Sequence, residues 1–232
     1  MRKIKIISFI LFVFFCGITV SAKESNDVYK SVNNDEMKIA LSFDDGPHPV
    51  YTPEVLSVLK KYNIKATFFV IGENANYYPD LVRQINEEGH ELGNHTFTHT
   101  LSKNINDKVL TYEITKSHET IKDICGYDVK LFRPPGGIIN DKVKETAGEL
   151  GYKIVLWNID TRDWAHSSVG SITKNVLSNT KSGSIVLFHD YIYKNSPTVE
   201  ALEKIIPKLK EQGYTFVTVG ELIDLDKKTN AK

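Results

Sequence analysis

The stretch KIALSFDDGPHPV (residues 38–50) decides how the rest of the chain is interpreted. Its first six residues form an apolar, β-prone run that stops at two adjacent carboxylates, Asp44 and Asp45. Gly46 and Pro47 then favour a turn, so the paired acids lie at the carboxyl end of a predicted strand. A turn with two solvated charges is the simplest interpretation, and it stands unless other residues give the acids a partner.

Composition narrows the class of protein. The chain has 232 residues, of which 41% are hydrophobic and 25% charged, as in an ordinary globular protein. This length predicts one sizeable domain or at most two small ones. The 29 Lys and Arg residues balance 29 Asp and Glu residues, and zero net charge gives no electrostatic indication of nucleic-acid binding. We therefore expect no nucleic-acid partner.

The first 22 residues have the pattern of a secretory signal peptide. A basic head precedes an apolar run from Ile6 to Phe15, and Val20-Ser21-Ala22 offers the small residues of a cleavage site. The apolar segment is shorter than the roughly 20 residues of a spanning helix, which favours cleavage over a retained anchor. We expect a secreted or cell-envelope protein without stable membrane insertion after cleavage.

The remaining chain is expected to form one domain. The polar, aperiodic segment over residues 23–36 predicts a tether of low order, followed by a domain over residues 37–226 and a polar tail over residues 227–232. Cleavage would leave Cys125 as the single cysteine, so we expect no internal disulfide. We also expect a monomer.

From residue 37 onward, short apolar runs alternate with amphipathic helical patterns. The runs predict seven strands, at residues 38–43, 65–72, 91–95, 129–133, 153–158, 184–189 and 215–219. Unbroken alternation predicts an α/β fold with parallel strands and right-handed crossovers. A doubly wound sheet is the weaker alternative, because no Gly-x-Gly-x-x-Gly follows any predicted strand. A closed or incomplete (β/α) barrel fits better, and such barrels gather their chemistry at the carboxyl ends of the strands.

Polar side chains capable of chemistry follow five of these strands. Besides the acid pair, they are found in His95-Thr96-Phe97-Thr98-His99, at Arg133, in Asp160-Thr161-Arg162-Asp163-Trp164 and in His189-Asp190. Barrel geometry predicts that these loops meet at one rim. His95 and His99 have a spacing that lets two imidazoles bind one metal ion. A third ligand and a base must come from elsewhere, and the acid pair offers one residue for each role.

The motifs LSFDDGP (41–47), HTFTH (95–99), RPP (133–135), DTRDW (160–164) and LFHD (187–190) resemble, in the same order, those of the NodB-type polysaccharide deacetylases (carbohydrate esterase family four). The resemblance covers about residues 37–225. It implies a distorted or incomplete (β/α) barrel of about seven parallel strands, and hydrolysis of acetyl groups from a sugar polymer.

The resemblance also implies catalytic roles. Asp44 would be the general base and His189 the general acid, with Arg133 positioning the base and Asp163 orienting the acid. Zinc is the default metal for the implied ligands, and cobalt, nickel or manganese could serve. The implied ligands of this one divalent ion are Asp45, His95 and His99.

Substrate contacts are implied at four further positions. The backbone N–H after Pro135, that of Gly136, would help to stabilise the oxyanion. Trp164 would form a groove wall and Leu187 would line the acetyl pocket. The family commonly has a bulky aromatic residue where this chain has Gly136, so one wall of the site is expected to be missing. His48 could touch substrate, although a surface turn residue is the simpler interpretation.

Several functions compete with the leading expectation. Peptidoglycan amino sugars are the leading substrate, with chitooligosaccharides second and O-acetylated xylan third. Two histidines and a carboxylate also match the facial triad of non-haem iron oxygenases, which predicts a jelly roll. A glycosidase needs two carboxylates flanking a bond, for which Asp44 and Asp45 are poorly placed. A non-catalytic carbohydrate-binding protein is a further alternative.

Overall fold

The computed structural model describes residues 28–192 and 195–230. The expected signal peptide, the start of the expected tether and the last two residues lie outside these ranges. No helix within them combines the length and the apolar character that a membrane crossing needs.

Nine short strands form one parallel sheet in the described part of the chain. They are β1 (Val28–Tyr29), β2 (Lys38–Asp44), β3 (Thr67–Val70), β4 (Glu91–Asn94), β5 (Leu131–Phe132), β6 (Lys153–Val155), β7 (Ile159–Asp160), β8 (Ile185–His189) and β9 (Thr215–Phe216). Their spatial order is β1-β6-β5-β4-β3-β2-β8-β7, while β9 pairs with the first two residues of β2. Within the described residues the end strands β1 and β7 do not pair with each other, so the sheet curls without closing.

Helices accompany the strands along the chain. They are α1 (Tyr51–Lys61), α2 (Gly72–Tyr77), α3 (Pro79–Glu87), α4 (Asp107–Cys125), α5 (Asp141–Glu149), α6 (Val169–Asn179), α7 (Thr198–Glu211) and α8 (Val219–Asn230). Single 3-10 turns lie at Pro135–Gly137 and Asp163–Ala165, and both belong to loops at the carboxyl ends of strands.

The strand β2 is an interior strand of the sheet. It pairs with β3 on one side and β8 on the other, and its residues from Ile39 onward are buried. Ile39, Leu41 and Phe43 belong to the large core that includes the helices, whereas Ala40 belongs to a smaller cluster with α8. Because both faces of β2 are covered, its sequence shows no polar alternation before Ser42.

The observed sheet confirms the expected incomplete (β/α) barrel. The alternative of a non-haem iron oxygenase predicted a jelly roll, and that prediction is wrong. All seven predicted strands are present. The strands β1 and β7 were not predicted, because two residues leave no readable period. The expected tether is wrong for residues 28–32, since β1 pairs with β6 and Val32 is buried. The helix α8 also continues to Asn230, past the expected domain end at residue 226.

Candidate active site

The carboxyl ends of the strands meet at one rim, as the motif positions predicted. Asp44 at the end of β2 is in register with His189 at the end of β8. A pocket of about 370 Å³ opens between the loops. Among the residues predicted from sequence, those that line it are Asp44, Asp45, His95, His99, Gly136, Trp164, Leu187 and His189. Arg133, Pro135 and Asp163 are buried and do not line it.

Asp45, His95 and His99, hereafter the metal triad, each place one ligand atom within 4.8 Å of the others. Nε2 of His95 lies 3.4 Å and Nε2 of His99 lies 3.2 Å from Oδ1 of Asp45. Nδ1 of His95 donates to the main-chain oxygen of Arg133 at 2.7 Å, so in the neutral ring Nε2 carries a lone pair.

The surroundings of Asp45 indicate that the metal triad is suited to a metal ion. Oδ1 of Asp45 is buried without a hydrogen-bond partner, and it faces the lone pair of His95. Two such atoms repel each other, and a bound cation removes the repulsion. Burial would raise the pKa of Asp45, but the hydrogen bonds and positive charge that His95 and His99 supply when they are protonated outweigh burial and lower the pKa below its usual range. The carboxylate is therefore ionised, as a metal ligand must be.

The loops that carry the metal triad are strained. Asp45 (φ 75°), Thr96 (φ 69°) and His99 (φ 60°) all adopt the left-handed backbone region without being glycine. Such conformations cost roughly 1–3 kcal/mol each and persist where the surroundings enforce them. Two buried carboxylates, Glu113 and Asp190, supply that enforcement.

Glu113 of α4 holds the loop between the two histidines. Its Oε2 accepts the N–H groups of Phe97 at 3.0 Å and Thr98 at 2.7 Å, and its Oε1 accepts the hydroxyl of Thr98 at 2.9 Å. The side chain is almost completely buried. The sequence gives no sign of this role, because an acid within an amphipathic helix is ordinarily solvated.

Asp190 holds the turn that carries Asp45. Its carboxylate accepts the N–H of Gly46 at 3.1 Å and the hydroxyl of Thr52 at 2.6 Å. A Cβ at Gly46 would lie 2.1 Å from Oδ2 of Asp190, so this approach requires glycine. Burial raises the pKa of Asp190 to about 7.

Arg133 anchors Asp44. Its fully buried guanidinium donates to Oδ1 of Asp44 at 2.7 Å, to Oγ of Ser42 at 2.9 Å and to two main-chain oxygens. Oδ2, the other oxygen of Asp44, lies 3.7 Å from Nε2 of His95. One oxygen of Asp44 is thus fixed by a cation, and the other faces the metal triad.

Asp163 anchors His189 in a similar way. Its Oδ1 is 2.8 Å from Nδ1 of His189, while its Oδ2 accepts the N–H of His189 at 2.8 Å and the hydroxyl of Thr198 at 2.7 Å. Burial would lower the pKa of His189, but the bond to Asp163 reverses this and the pKa rises to about 9. The imidazole is therefore protonated at neutral pH, with Nε2 left unused by this pair.

Both tryptophans of the chain line the pocket. Trp164 is 50% exposed, and its role as a groove wall stays a prediction. Trp157, just after β6, was not predicted, although the scarcity of tryptophan could have drawn attention to it. A Cβ at Gly137 would lie 3.0 Å from the Trp157 ring, whereas one at Gly136 would meet only Ile138 at 3.9 Å. Gly136 therefore contributes no side chain to the pocket, while Trp157 supplies an aromatic surface in it.

Comparison with known proteins identifies relatives of this chain. A family model described as polysaccharide deacetylase matches residues 31–155. A peptidoglycan-N-acetylglucosamine deacetylase of Bacillus cereus is 50% identical over 194 residues, which cover 83% of this chain and 91% of the relative. A chitooligosaccharide deacetylase of Sinorhizobium fredii is 36% identical over 187 residues, covering 76% of this chain and 87% of the relative.

Solved structures share the fold. A crystal structure of a peptidoglycan N-acetylglucosamine deacetylase matches with a TM-score of 0.81 and 39% identity, covering 85% of this chain and 92% of that chain. A CE4 family pseudoenzyme from Bacillus anthracis also has a TM-score of 0.81, with 29% identity over 87% of this chain and 70% of that chain. The fold alone therefore does not establish catalysis. On the family model, the sequence identity and the shared architecture together, this chain belongs to the polysaccharide deacetylase family.

Proposed function

We propose that the protein is a metal-dependent hydrolase that removes acetyl groups from an N-acetylated polysaccharide, with peptidoglycan amino sugars as the leading substrate. The observation that carries the proposal is the convergence of the metal triad with two anchored pairs, Asp44–Arg133 and His189–Asp163, on one pocket. A non-catalytic sugar-binding protein could use each pair for stability, but it would not require both pairs to meet the metal triad at one pocket.

The metal triad would hold one divalent ion. Two imidazoles and a carboxylate suit zinc, and cobalt, nickel or manganese are alternatives. When bound, such an ion polarises the acetyl carbonyl and lowers the pKa of a coordinated water from about 16 towards 7.

Asp44 is the proposed general base. Arg133 fixes its Oδ1, so Oδ2 is held towards the metal triad. The attacking water would give its proton to Oδ2 while the water oxygen adds to the acetyl carbon. Arg133 is a positioning residue here, since it touches the base and not the reacting atoms.

His189 is the proposed general acid. Its pKa of about 9 keeps the imidazolium charged at neutral pH, and Asp163 holds Nδ1. The proton on Nε2 would pass to the amide nitrogen as the carbon–nitrogen bond breaks, which yields acetate and a free amine. Gly136 lines the pocket, and its N–H is the proposed additional donor to the oxyanion.

The pocket walls and the relatives support the choice of substrate. Leu187 would contact the acetyl methyl group, and Trp157 and Trp164 would flank the sugar. The Bacillus cereus relative and the crystal structure that is 39% identical are both peptidoglycan N-acetylglucosamine deacetylases by name. The Sinorhizobium relative supports chitooligosaccharides as the second candidate, ahead of O-acetylated xylan.

We further propose that residues 1–22 direct export, which would bring the protein to the cell envelope, and that it acts as a monomer. The basic head, apolar run and small residues before Lys23 support export. The exported protein should have Lys23 at its N-terminus, as amino-terminal sequencing would show.

An acetate-release panel tests the function. We expect release from peptidoglycan above that from chitooligosaccharides and acetylated xylan, loss of release with a chelator, and recovery on adding zinc. Glycan binding without acetate release from any of the three polymers in the presence of metal would instead support the non-catalytic alternative.

A further inference from the structure

Three aromatic rings are stacked on the rim beside the pocket. The imidazole of His48 lies 4.7 Å from the ring of Tyr191 and 4.9 Å from that of Tyr51, with interplanar angles of 10° and 22°. His48 follows Asp45 by three residues, and Tyr191 follows His189 by two. This rim stack (Tyr51, His48 and Tyr191) therefore follows the ends of β2 and β8, within a few residues along the chain of Asp45 and His189.

The rim stack is held firmly yet open to solvent. Asp190 immediately precedes Tyr191, and its bonds to Gly46 and Thr52 tie together the two segments that carry the rings. Tyr191 is nevertheless 39% exposed. An aromatic surface in a fixed position at a site opening is suited to ligand contact, since little side-chain freedom is lost on binding.

Each ring also offers a polar edge. Nδ1 of His48 accepts the N–H groups of Val50 at 3.2 Å and Tyr51 at 3.3 Å, which places the proton of the neutral ring on Nε2. Across the described ranges, Nε2 of His48 and the hydroxyls of Tyr51 and Tyr191 have no protein hydrogen-bond partner. Aromatic faces thus lie beside donors that the described residues do not use.

We propose that the rim stack is a subsite for a second sugar ring of the glycan whose acetylated sugar occupies the pocket. This inference rests on the proposed function. A pyranose has an apolar C–H face and an edge of hydroxyl groups, which match an aromatic face and its neighbouring O–H and N–H groups. Because the stack lies outside the pocket lining, it binds a neighbouring sugar and sets a preference for longer chains.

Chain-length kinetics test the subsite. Acetate release is measured on N-acetylglucosamine oligomers from the monosaccharide to the hexasaccharide, and kcat/KM of the wild type is expected to rise with length. Tyr191→Ala is expected to reduce the ratio of kcat/KM for the longest and shortest active oligomers about 5-fold, mainly through KM. Tyr191→Phe keeps the ring and should retain most of the ratio. Tyr77→Ala removes a more exposed tyrosine on α2 and serves as the control.

The outcomes separate the subsite from a structural role and from the function itself. An equal loss at every length, or no change in the ratio, would overturn the subsite. If Tyr191→Ala shows no cooperative thermal transition, Tyr51→Ala takes its place with the same expectation. Wild-type protein that releases no acetate from any oligomer or from peptidoglycan contradicts the proposed function, whereas an active wild type with an unchanged ratio in the variant contradicts the subsite alone.

Discussion

Nδ1 of His95 lies 2.7 Å from the main-chain oxygen of Arg133, the residue whose guanidinium holds Asp44 at 2.7 Å. One residue therefore orients a candidate metal ligand through its backbone and the proposed base through its side chain. Mutation can separate the orientation of Asp44 from that of His95, because a substitution at Arg133 removes the guanidinium and leaves the carbonyl.

Arg133→Met should impair catalysis more than metal binding. The variant leaves Asp44 buried without its cation, which costs about 3–5 kcal/mol of folding free energy. We expect a large loss of acetate release in the protein that still folds at low temperature, with metal affinity retained because the carbonyl of residue 133 still orients His95. Denaturant unfolding and metal titration measure the two effects. The exposed pair of Arg83 provides a control, since Arg83→Met should change neither by much.

If a folded Arg133→Met variant loses metal affinity as well as activity, the side chain and the backbone of Arg133 do not have separate roles.

The alkaline limb of the pH profile should report His189. The proposed acid acts in its protonated form, so we expect kcat/KM to fall as pH rises through a pKa of about 9. The charge of a bound metal lowers this pKa, which places the limb at or below pH 9. Asp163→Asn removes the charge that raises the pKa, so the limb should move to lower pH. A limb that stays in place in this variant would count against His189 as the acid.

The ion pair of Asp163 and His189 should also contribute to the free energy of unfolding in a pH-dependent way. The pKa of His189 is raised in the folded state from 6.5 to about 9, so its contribution is complete below pH 6.5 and is lost as pH rises through about 9. The free-energy difference between wild type and Asp163→Asn should therefore shrink over this range. Denaturant titrations at several pH values measure it, and a difference that grows with pH would contradict the assignment.

Glu113 should control metal affinity without touching the metal. Glu113→Ala removes the acceptor of three loop donors, and the strained backbone at Thr96 and His99 can then relax. We expect metal affinity to fall about 10- to 100-fold, as for other groups that orient ligands from behind. Competition with a chromophoric chelator measures the affinity.

Glu113→Gln keeps an acceptor oxygen and should therefore lose less metal affinity than Glu113→Ala. Glu119→Ala, an exposed position on the same helix, is the matched control and should bind metal as the wild type does. Equal affinities in all three variants would show that Glu113 serves the fold alone.

Local sequence was enough to predict the strand ends and most of the pocket. Asp44, His95 and His189 each sit in a short motif after an apolar run, so their shared rim followed from strand–helix alternation. Glu113 and Trp157 could not be found in this way. Their roles depend on contacts with loops from other parts of the chain, and neither lies in a motif. The strand β1 was missed because its two residues lie within a polar segment and are ordered by pairing with β6.

The most direct test of the account is acetate release by zinc-loaded wild type and zinc-loaded Asp44→Asn on the same peptidoglycan, at equal metal occupancy. Asparagine keeps the shape of Asp44 and cannot accept the proton of the attacking water. We predict a rate that falls by about 10²- to 10⁴-fold in the variant. Release of acetate by Asp44→Asn at the wild-type rate would contradict the account.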